Sequence, residues 1–264
     1  MNEKKVMFFD IDGTLLNLGE TTFTPSAMEA IEKARANGHL MFINTGRTLA
    51  NLNDYILNAG FDGYVCACGT YILIDGKLEL YKHTENDVCS LIVDLAKKCR
   101  VDIVFESFHG IYYDPSEVVL DSTMALIDDL NKQNMITAGF KREGFNFDKF
   151  ITYTRSDSDL SEFVASVSDW FDYIDRGKGF SEFVPKGYSK ATGIQFILDR
   201  FNLPLESAHA VGDSTNDLPM LKYVPHSIAM GNSEPKTLFD EVEFVTKDID
   251  DDGIKFALEH YGFN

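Results

Sequence analysis

Residues 5–17 read KVMFFDIDGTLLN, an apolar run followed by Asp10 and Asp12 on either side of Ile11, then Gly13 and Thr14. A short, continuously apolar run bounded by turn residues predicts a strand buried on both faces, as in a parallel sheet. Two acids one residue apart just beyond it are ordinary turn material by themselves. In an open parallel sheet, however, ligands bind beyond the carboxyl ends of the strands. What the rest of the chain places at such ends decides between the two readings.

The pattern continues outward from that strand. Thr24-Pro25 opens a predicted helix that ends near Asn37-Gly38, with proline in its favoured first-turn position. HLMFIN (39–44) is a second strand, residues 48–59 a second helix closed by Gly60, and YVCAC a third strand. Strand alternating with helix is the rhythm of a doubly wound parallel sheet.

The rhythm breaks near Gly76 and resumes after Tyr188. Between them the order is a helix (85–99), a hairpin of VDIVFE and GIYYD, a helix (116–132), the strand KFITYT, a helix (159–171), and a hairpin of DYIDR and FSEFV across Gly177-Lys178-Gly179. Beyond it come a helix at 190–201, the strand HAVG (209–212), a short helix from Asp217, the strand HSIAMG, a helix after Pro235, the strand VEFVT and a last helix from Gly253. The fold class is therefore α/β: a Rossmann-like doubly wound core, 1–80 and 187–264, interrupted by an α+β cap at 81–186.

Four polar clusters fall at the ends where chemistry is expected. They are Asp10-Ile11-Asp12-Gly13-Thr14, Asn44-Thr45-Gly46-Arg47, Gly212-Asp213-Ser214-Thr215-Asn216-Asp217, and Ser189-Lys190 at the return from the insertion. Singly each has a bland reading as turn, cap or surface lysine. Their joint placement does not.

Composition narrows the classes. With 264 residues, 44% hydrophobic and 25% charged, the chain is ordinary for a globular protein of one large or two smaller domains. The net charge of −18 disfavours nucleic acid and anionic membranes, and a site for a phosphorylated ligand must bring its own local positive charge. No apolar run approaches the roughly 18 residues of a membrane span, and acids interrupt the N-terminal apolar patch too early for a signal peptide. A cytoplasmic protein, monomeric or a small homo-oligomer, is expected.

The motifs DIDGTL, NTGR, Lys190 within GYSKATGIQFIL, and GDSTNDLPML, with IAMGNS and DDDGI in the tail, resemble those of the haloacid dehalogenase superfamily, in its Cof-type subgroup with a large inserted α/β cap. The resemblance spans the whole chain. It implies a phosphatase acting on small phosphorylated metabolites, commonly sugar phosphates, with Asp10 as nucleophile and Asp12 as general acid and base. Mg²⁺ is the implied cofactor, held by Asp10, the backbone carbonyl of Asp12 and Asp213, with Asn216 and Asp217 supporting the metal water and the lysine. Thr45, the Gly46 amide and Lys190 would neutralise the phosphoryl oxygens. Arg47, Arg176 and Lys178 are candidates for substrate contacts. The same scaffold also admits a phosphomutase or a non-catalytic binder. One departure from that resemblance is Cys68-Gly69, where relatives usually carry Asn-Gly.

Several features are set aside. DIDDDGIKFALE (248–259) has the spacing of a calcium loop, but an expected strand rather than a helix precedes it, and acids before a helix serve as caps. The aromatics of GFNFDKFITYT are expected in a core rather than on a base-stacking surface. Cys66 and Cys68 are expected on one buried face by strand alternation, and the six histidines share no spacing.

Overall fold

The computed structural model describes residues 4–264 except Leu18 and Asn134; Met1–Glu3, part of the N-terminal segment weighed as a signal peptide, lie outside the described residues. The chain divides into two compact units. The first comprises Met1–Gly46, Asn53–Leu80 and Ser189–Asn264, the second Arg47–Leu52 and Tyr81–Tyr188.

In the first unit, β1 (Val6–Phe9) is buried throughout, and the chain returns to the sheet through α1 (Pro25–Ala36) and β2 (Leu40–Asn44). Pro25 sits in the first turn of α1, and Ala27, Ala30, Ile31 and Ala34 form its buried stripe at helical spacing. After the four-residue α2 (Asp54–Leu57) come β3 (Gly63–Cys66), β4 (Tyr71–Ile74) and β5 (Lys77–Tyr81). The insertion contributes α3 (Asn86–Cys99), β6 (Val101–Ser107), β7 (Gly110–Tyr113), α4 (Asp121–Lys132), β8 (Ile136–Ala138), β9 (Lys149–Thr154), α5 (Leu160–Val167), β10 (Phe171–Asp175) and β11 (Phe180–Pro185). The first unit then resumes with α6 (Lys190–Phe201), β12 (Ala208–Ser214), α7 (Leu218–Tyr223), β13 (His226–Glu234), β14 (Phe244–Val245) and α8 (Gly253–His260).

The first sheet runs β14-β13-β12-β1-β2-β3-β4-β5, with β14 through β3 parallel and β4 antiparallel to β3. Strand β1 lies at its centre, between β12 and β2, so Asp10, Thr45 and Asp213 leave neighbouring strands at the same edge. Phe8, Phe42, Val65 and Ala210 pack with Ile194, Ile197 and Leu198 of α6 in one core. Gly193 lets α6 lie close on the sheet, because a Cβ there would stand 2.3 Å from Val65 Cγ1.

The second unit is a sheet ordered β10-β11-β9-β6-β7-β8, antiparallel except for the β7–β8 pair. One face carries Phe105, Phe150 and Phe183, which pack with Phe147, Phe163, Phe171 and residues of α3. The aromatics at 145, 147 and 150 are thus core, as the alternation suggested.

Several sequence readings need correction. The helix expected at 48–59 is two pieces, a single 3₁₀ turn at Leu49–Asn51 and α2, because the Asn53 side chain accepts from Ile56 N and starts a new helix. The helix expected at 116–132 begins only at Asp121, and the element after Pro235 is a 3₁₀ segment, Lys236–Glu241. Strands β4, β5 and β8 were not foreseen. Cys66 ends β3 and is buried, but Ala67 and Cys68 turn out of the strand at φ 48° and 55°. Alternation therefore does not reach Cys68, which is partly exposed.

Candidate active site

Asp10 leaves β1 with its amide donating to Val211 O at 3.1 Å, which ties it to the neighbouring strand β12. The chain then turns tightly: Gly13 donates to Leu16 O, and Thr14, Leu15 and Leu16 all return to Ile11 O. Gly13 adopts φ +75°, and a Cβ there would stand 2.3 Å from Asp213 Oδ2. Any other residue would collide with that carboxylate as well as strain the backbone. Asp12, on this turn, is therefore held beside Asp213, and Thr14 Oγ1 lies 3.5 Å from Asp213 Oδ1.

Lys190 opens α6. Ser189 caps that helix reciprocally with Thr192, its hydroxyl accepting from Thr192 N at 3.3 Å and its amide donating to Thr192 Oγ1 at 3.0 Å. Asn44 Nδ2 donates to Lys190 O at 3.0 Å, fixing the start of the helix to the end of β2. From there the Lys190 ammonium, buried to 1% exposure, donates to Asp10 Oδ1 at 2.7 Å and Asp217 Oδ1 at 2.5 Å. The other Asp217 oxygen accepts from the amides of Asp213 (2.9 Å) and Ser214 (3.1 Å). Gly212 makes this packing feasible, since a Cβ there would meet Asp217 Cγ at 2.4 Å. Asp217 thus orients both the lysine and the loop that carries Asp213.

Burial and the neighbouring Asp217 raise the Asp10 carboxyl well above the ordinary carboxylate range, against the opposing pull of Lys190. Burial and Asp217 likewise push Asp213 up to about 7. Burial alone would lower the Lys190 ammonium, but Asp10 and Asp217 overcome it and raise it. Three clustered acids, Asp10, Asp213 and Asp217, share one lysine, and the raised Asp10 and Asp213 carboxyls express that excess of negative charge. A hard divalent cation would relieve it. Carboxylate oxygens of Asp10, Asp213 and Asp217 lie within 4.8 Å of one another, an all-oxygen set of the kind such cations take. The donors fit a divalent metal.

Among the other residues singled out by sequence, Thr45 is buried at the end of β2 and donates its amide to Val65 O, with Gly46 beside it half-buried. Asn216 Oδ1 accepts from the Ser214 hydroxyl, bracing the loop. Arg47, Arg176 and Lys178 all fall in the second unit. Arg47 Nη1 donates to Asn51 O at 3.3 Å, Arg176 Nε lies 3.6 Å from Glu182 Oε2, and Lys178 is exposed on the β10–β11 turn at φ 54°. The acids at 248–252 are engaged locally: Asp248 Oδ1 accepts from Asp250 N, and Asp250 Oδ1 from Asn17 Nδ2. Strand β14, not a helix, precedes them.

Two residues that sequence reasoning left unassigned support the site. Asn44 is one. Asn232, in the irregular stretch of β13 between its pairing residues Ala229 and Glu234, donates to Gly13 O at 2.7 Å and accepts from Ile249 N at 3.0 Å. A polar residue at the carboxyl end of a parallel strand was the available signal for both.

Comparison with known proteins agrees with this geometry. A family model described as haloacid dehalogenase-like hydrolase matches residues 7–258. YkrA of Bacillus subtilis (strain 168), provisionally named a phosphatase, is 26% identical over 264 residues, covering 98% of both chains. YitU of the same organism, named a 5-amino-6-(5-phospho-D-ribitylamino)uracil phosphatase, is 25% identical, covering 96% of this chain and 95% of its own. The solved structure of the subclass IIB sugar phosphatase BT4131 superposes with a TM-score of 0.81 at 25% identity, over 99% of this chain and all of that one. The chain belongs to the haloacid dehalogenase-like hydrolases.

Proposed function

We propose that the protein is an Mg²⁺-dependent phosphatase of small phosphorylated metabolites, with sugar phosphates as the leading class. The observation that carries this reading is the buried cluster in which Lys190 lies 2.7 Å from Asp10 and joins it to Asp217 and the Asp213 loop. The relatives named as a ribitylaminouracil phosphatase and a sugar phosphatase support the substrate class.

In the first step an Asp10 oxygen attacks phosphorus, forming an aspartyl-phosphate as the bond to the leaving oxygen breaks. Asp12 gives its proton to the departing alkoxide, a form of help that contributes about 10²–10⁴-fold. In the second step Asp12 takes a proton from water, the water oxygen bonds to phosphorus, and the bond to Asp10 breaks, releasing inorganic phosphate. Lys190, Thr45 and the Gly46 amide balance charge on the phosphoryl oxygens, and Lys190 also orients Asp10. A divalent ion held by Asp10, the Asp12 carbonyl and Asp213 would supply the remaining positive charge. Asp217 and Asn216 hold the loop and lysine in place. The second unit, as a cap, would select the alcohol portion of the substrate.

The test is phosphate release from p-nitrophenyl phosphate and a panel of phosphorylated metabolites. Activity should require Mg²⁺, disappear with EDTA, and return with Mg²⁺ but not Ca²⁺. Asp10→Asn should lower turnover by about 10⁴-fold or more while the fold is kept. Full turnover in that variant would exclude the covalent route.

A further inference from the structure

The acids at 248–252 belong to a loop that closes on itself. The Asp251 and Gly253 amides donate to Asp248 O, and Asp248 Oδ1 accepts from Asp250 N. The loop also packs tightly on β13: Gly231 N donates to Lys247 O at 2.9 Å, and a Cβ on Gly231 would stand 2.5 Å from Asp248 N. So anchored, it reaches the loop that carries Asp10 and Asp12 at two points, all within the first unit. Asn232 accepts from Ile249 N at 3.0 Å and donates to Gly13 O at 2.7 Å. Asn17 Nδ2 donates to Asp250 Oδ1 at 2.6 Å.

Stability gains little from the Asn232 brace. The residue is half-buried, so water can take over either hydrogen bond, and one such bond contributes only about 0.5–1.5 kcal/mol net. What water does not supply is a fixed distance. The backbone on either side of Asn232 is held, with the Ser233 hydroxyl donating to Met230 O at 2.7 Å and Lys236 Nζ to Gly231 O at 2.8 Å. Its amide group is held in turn by the main chain at both ends, and it therefore acts as a rigid spacer.

Gly13 is where a spacer has most to do. Its amide donates to Leu16 O at 2.8 Å, which fixes the peptide before it, and Asn232 fixes the peptide after it. Between the two lies the residue type with the greatest backbone freedom, here at φ +75°. With both peptides tied, the backbone of Asp12 is held relative to Asp10 and Asp213. Displacement by about 1 Å at a reacting group costs about 10²-fold.

We propose that Asn232 is a positioning residue for leaving-group protonation: through Gly13 it holds Asp12 where its carboxyl reaches the oxygen departing from phosphorus. This rests on the phosphatase reading above, in which the Asp12 proton moves to that oxygen as its bond to phosphorus breaks and Asp10 bonds to phosphorus. A displaced Asp12 penalises each ester according to the basicity of its leaving oxygen, because p-nitrophenolate departs without a proton and an alkoxide does not. The test compares kcat/KM for p-nitrophenyl, phenyl and benzyl phosphates, which share a ring but leave as progressively more basic oxyanions. It uses the wild type, Asn232→Ala and the volume-keeping Asn232→Leu. In the wild type the three values should agree within about 10-fold. In both variants benzyl phosphate should lose about 10-fold more than p-nitrophenyl phosphate, with phenyl phosphate between them. The ratio is independent of the folded fraction, so a residue that only steadied the loop would lower all three values together. Equal losses, or none, would overturn the proposal. A wild type whose values already fall steeply along the series has no leaving-group acid to position, and would overturn it as well. A wild type inert toward all three esters would remove the phosphatase reading itself, and the proposal with it.

Discussion

The two units each bury a lysine between two carboxylates, and they hold it differently. Lys190 makes contacts of 2.7 and 2.5 Å with acids delivered by separate loops, and one of those acids also accepts two backbone amides. Lys149 makes contacts of 3.3 and 3.8 Å with acids on the adjacent strands of one sheet. The first arrangement fixes individual atoms, as the proposed in-line chemistry would require, since misplacement by about 1 Å costs about 10²-fold. The second spreads its charges across the adjacent strands β6, β9 and β11 of one sheet.

Lys190→Met tests the tighter arrangement and should have the largest effect. It leaves Asp10 and Asp217 buried without their cation, which costs about 3–5 kcal/mol where both partners are desolvated. Turnover should fall about 10³-fold or more, because Asp10, the proposed nucleophile, loses both its orientation and its charge partner. Chemical denaturation and kcat of the same sample measure the two losses. A variant as stable and active as the wild type would mean that the contacts at Lys190 carry neither function.

Metal and pH sharpen the contrast further. Asp213 is raised from 3.8 to about 7, so between those values the folded protein holds a proton that the unfolded chain has released. Stability of the metal-free protein therefore falls as pH rises through this window, and Asp10 shifts in the same direction. Lys190 is raised and stays charged in both states over that range, so it contributes no slope there. A divalent cation held at this cluster would take the place of the bound protons. The rise in thermal midpoint on adding Mg²⁺ should be several degrees greater at about pH 8 than at about pH 5. Asp213→Asn should flatten the difference. An equal Mg²⁺ effect at both values would show that the cation does not compete with protons at this cluster.

The charges around Lys149 should respond more mildly. Lys149→Met is expected to cost about 2 kcal/mol, less than Lys190→Met, because its pairs are longer and one glutamate keeps Arg176. Parallel denaturation curves give the ranking. A larger loss at Lys149 than at Lys190 would invert the comparison.

The same contrast explains what the sequence revealed. Asp10, Lys190, Asp213 and Asp217 were legible because each follows or precedes a buried element at the edge where a parallel sheet binds ligands. Glu106, Lys149 and Glu182 were not, because each is a single charge in its own strand and looks solvated until register sets the strands side by side. Local signals were also missed. Asp75-Gly76 was taken only as the place where the rhythm stops, yet φ values of 48° and 70° make it the tight turn joining β4 and β5. Asn53 splits the helix expected at 48–59, although a capping asparagine inside an apolar pattern is a readable stop.

The smallest effect is expected at Cys68, where the family resemblance led to an expectation of asparagine. The residue sits at φ 55° and ψ 40°, the left-handed region. A side chain there costs roughly 1–2 kcal/mol unless it is glycine or, to a lesser degree, asparagine or aspartate. The turn cannot relax around it. Gly69 follows at φ +90°, where a Cβ would stand 2.5 Å from Ser189 O, and Cys68 N donates to Thr45 O at 3.1 Å. The turn thus ties the end of β3 to the motif after β2 and to the start of α6. Cys68→Asn relieves the backbone without altering those ties and should stabilise the protein by about 0.5–1 kcal/mol, a rise in thermal midpoint of about 1–4 °C. The Cys68 sulfur also lies 3.6 Å from where a Cβ on Gly46 would stand, so the new amide would face the phosphoryl motif. A fall in thermal midpoint would mean that the thiol's own contacts outweigh the backbone preference, and that the departure from asparagine is stabilising in this chain.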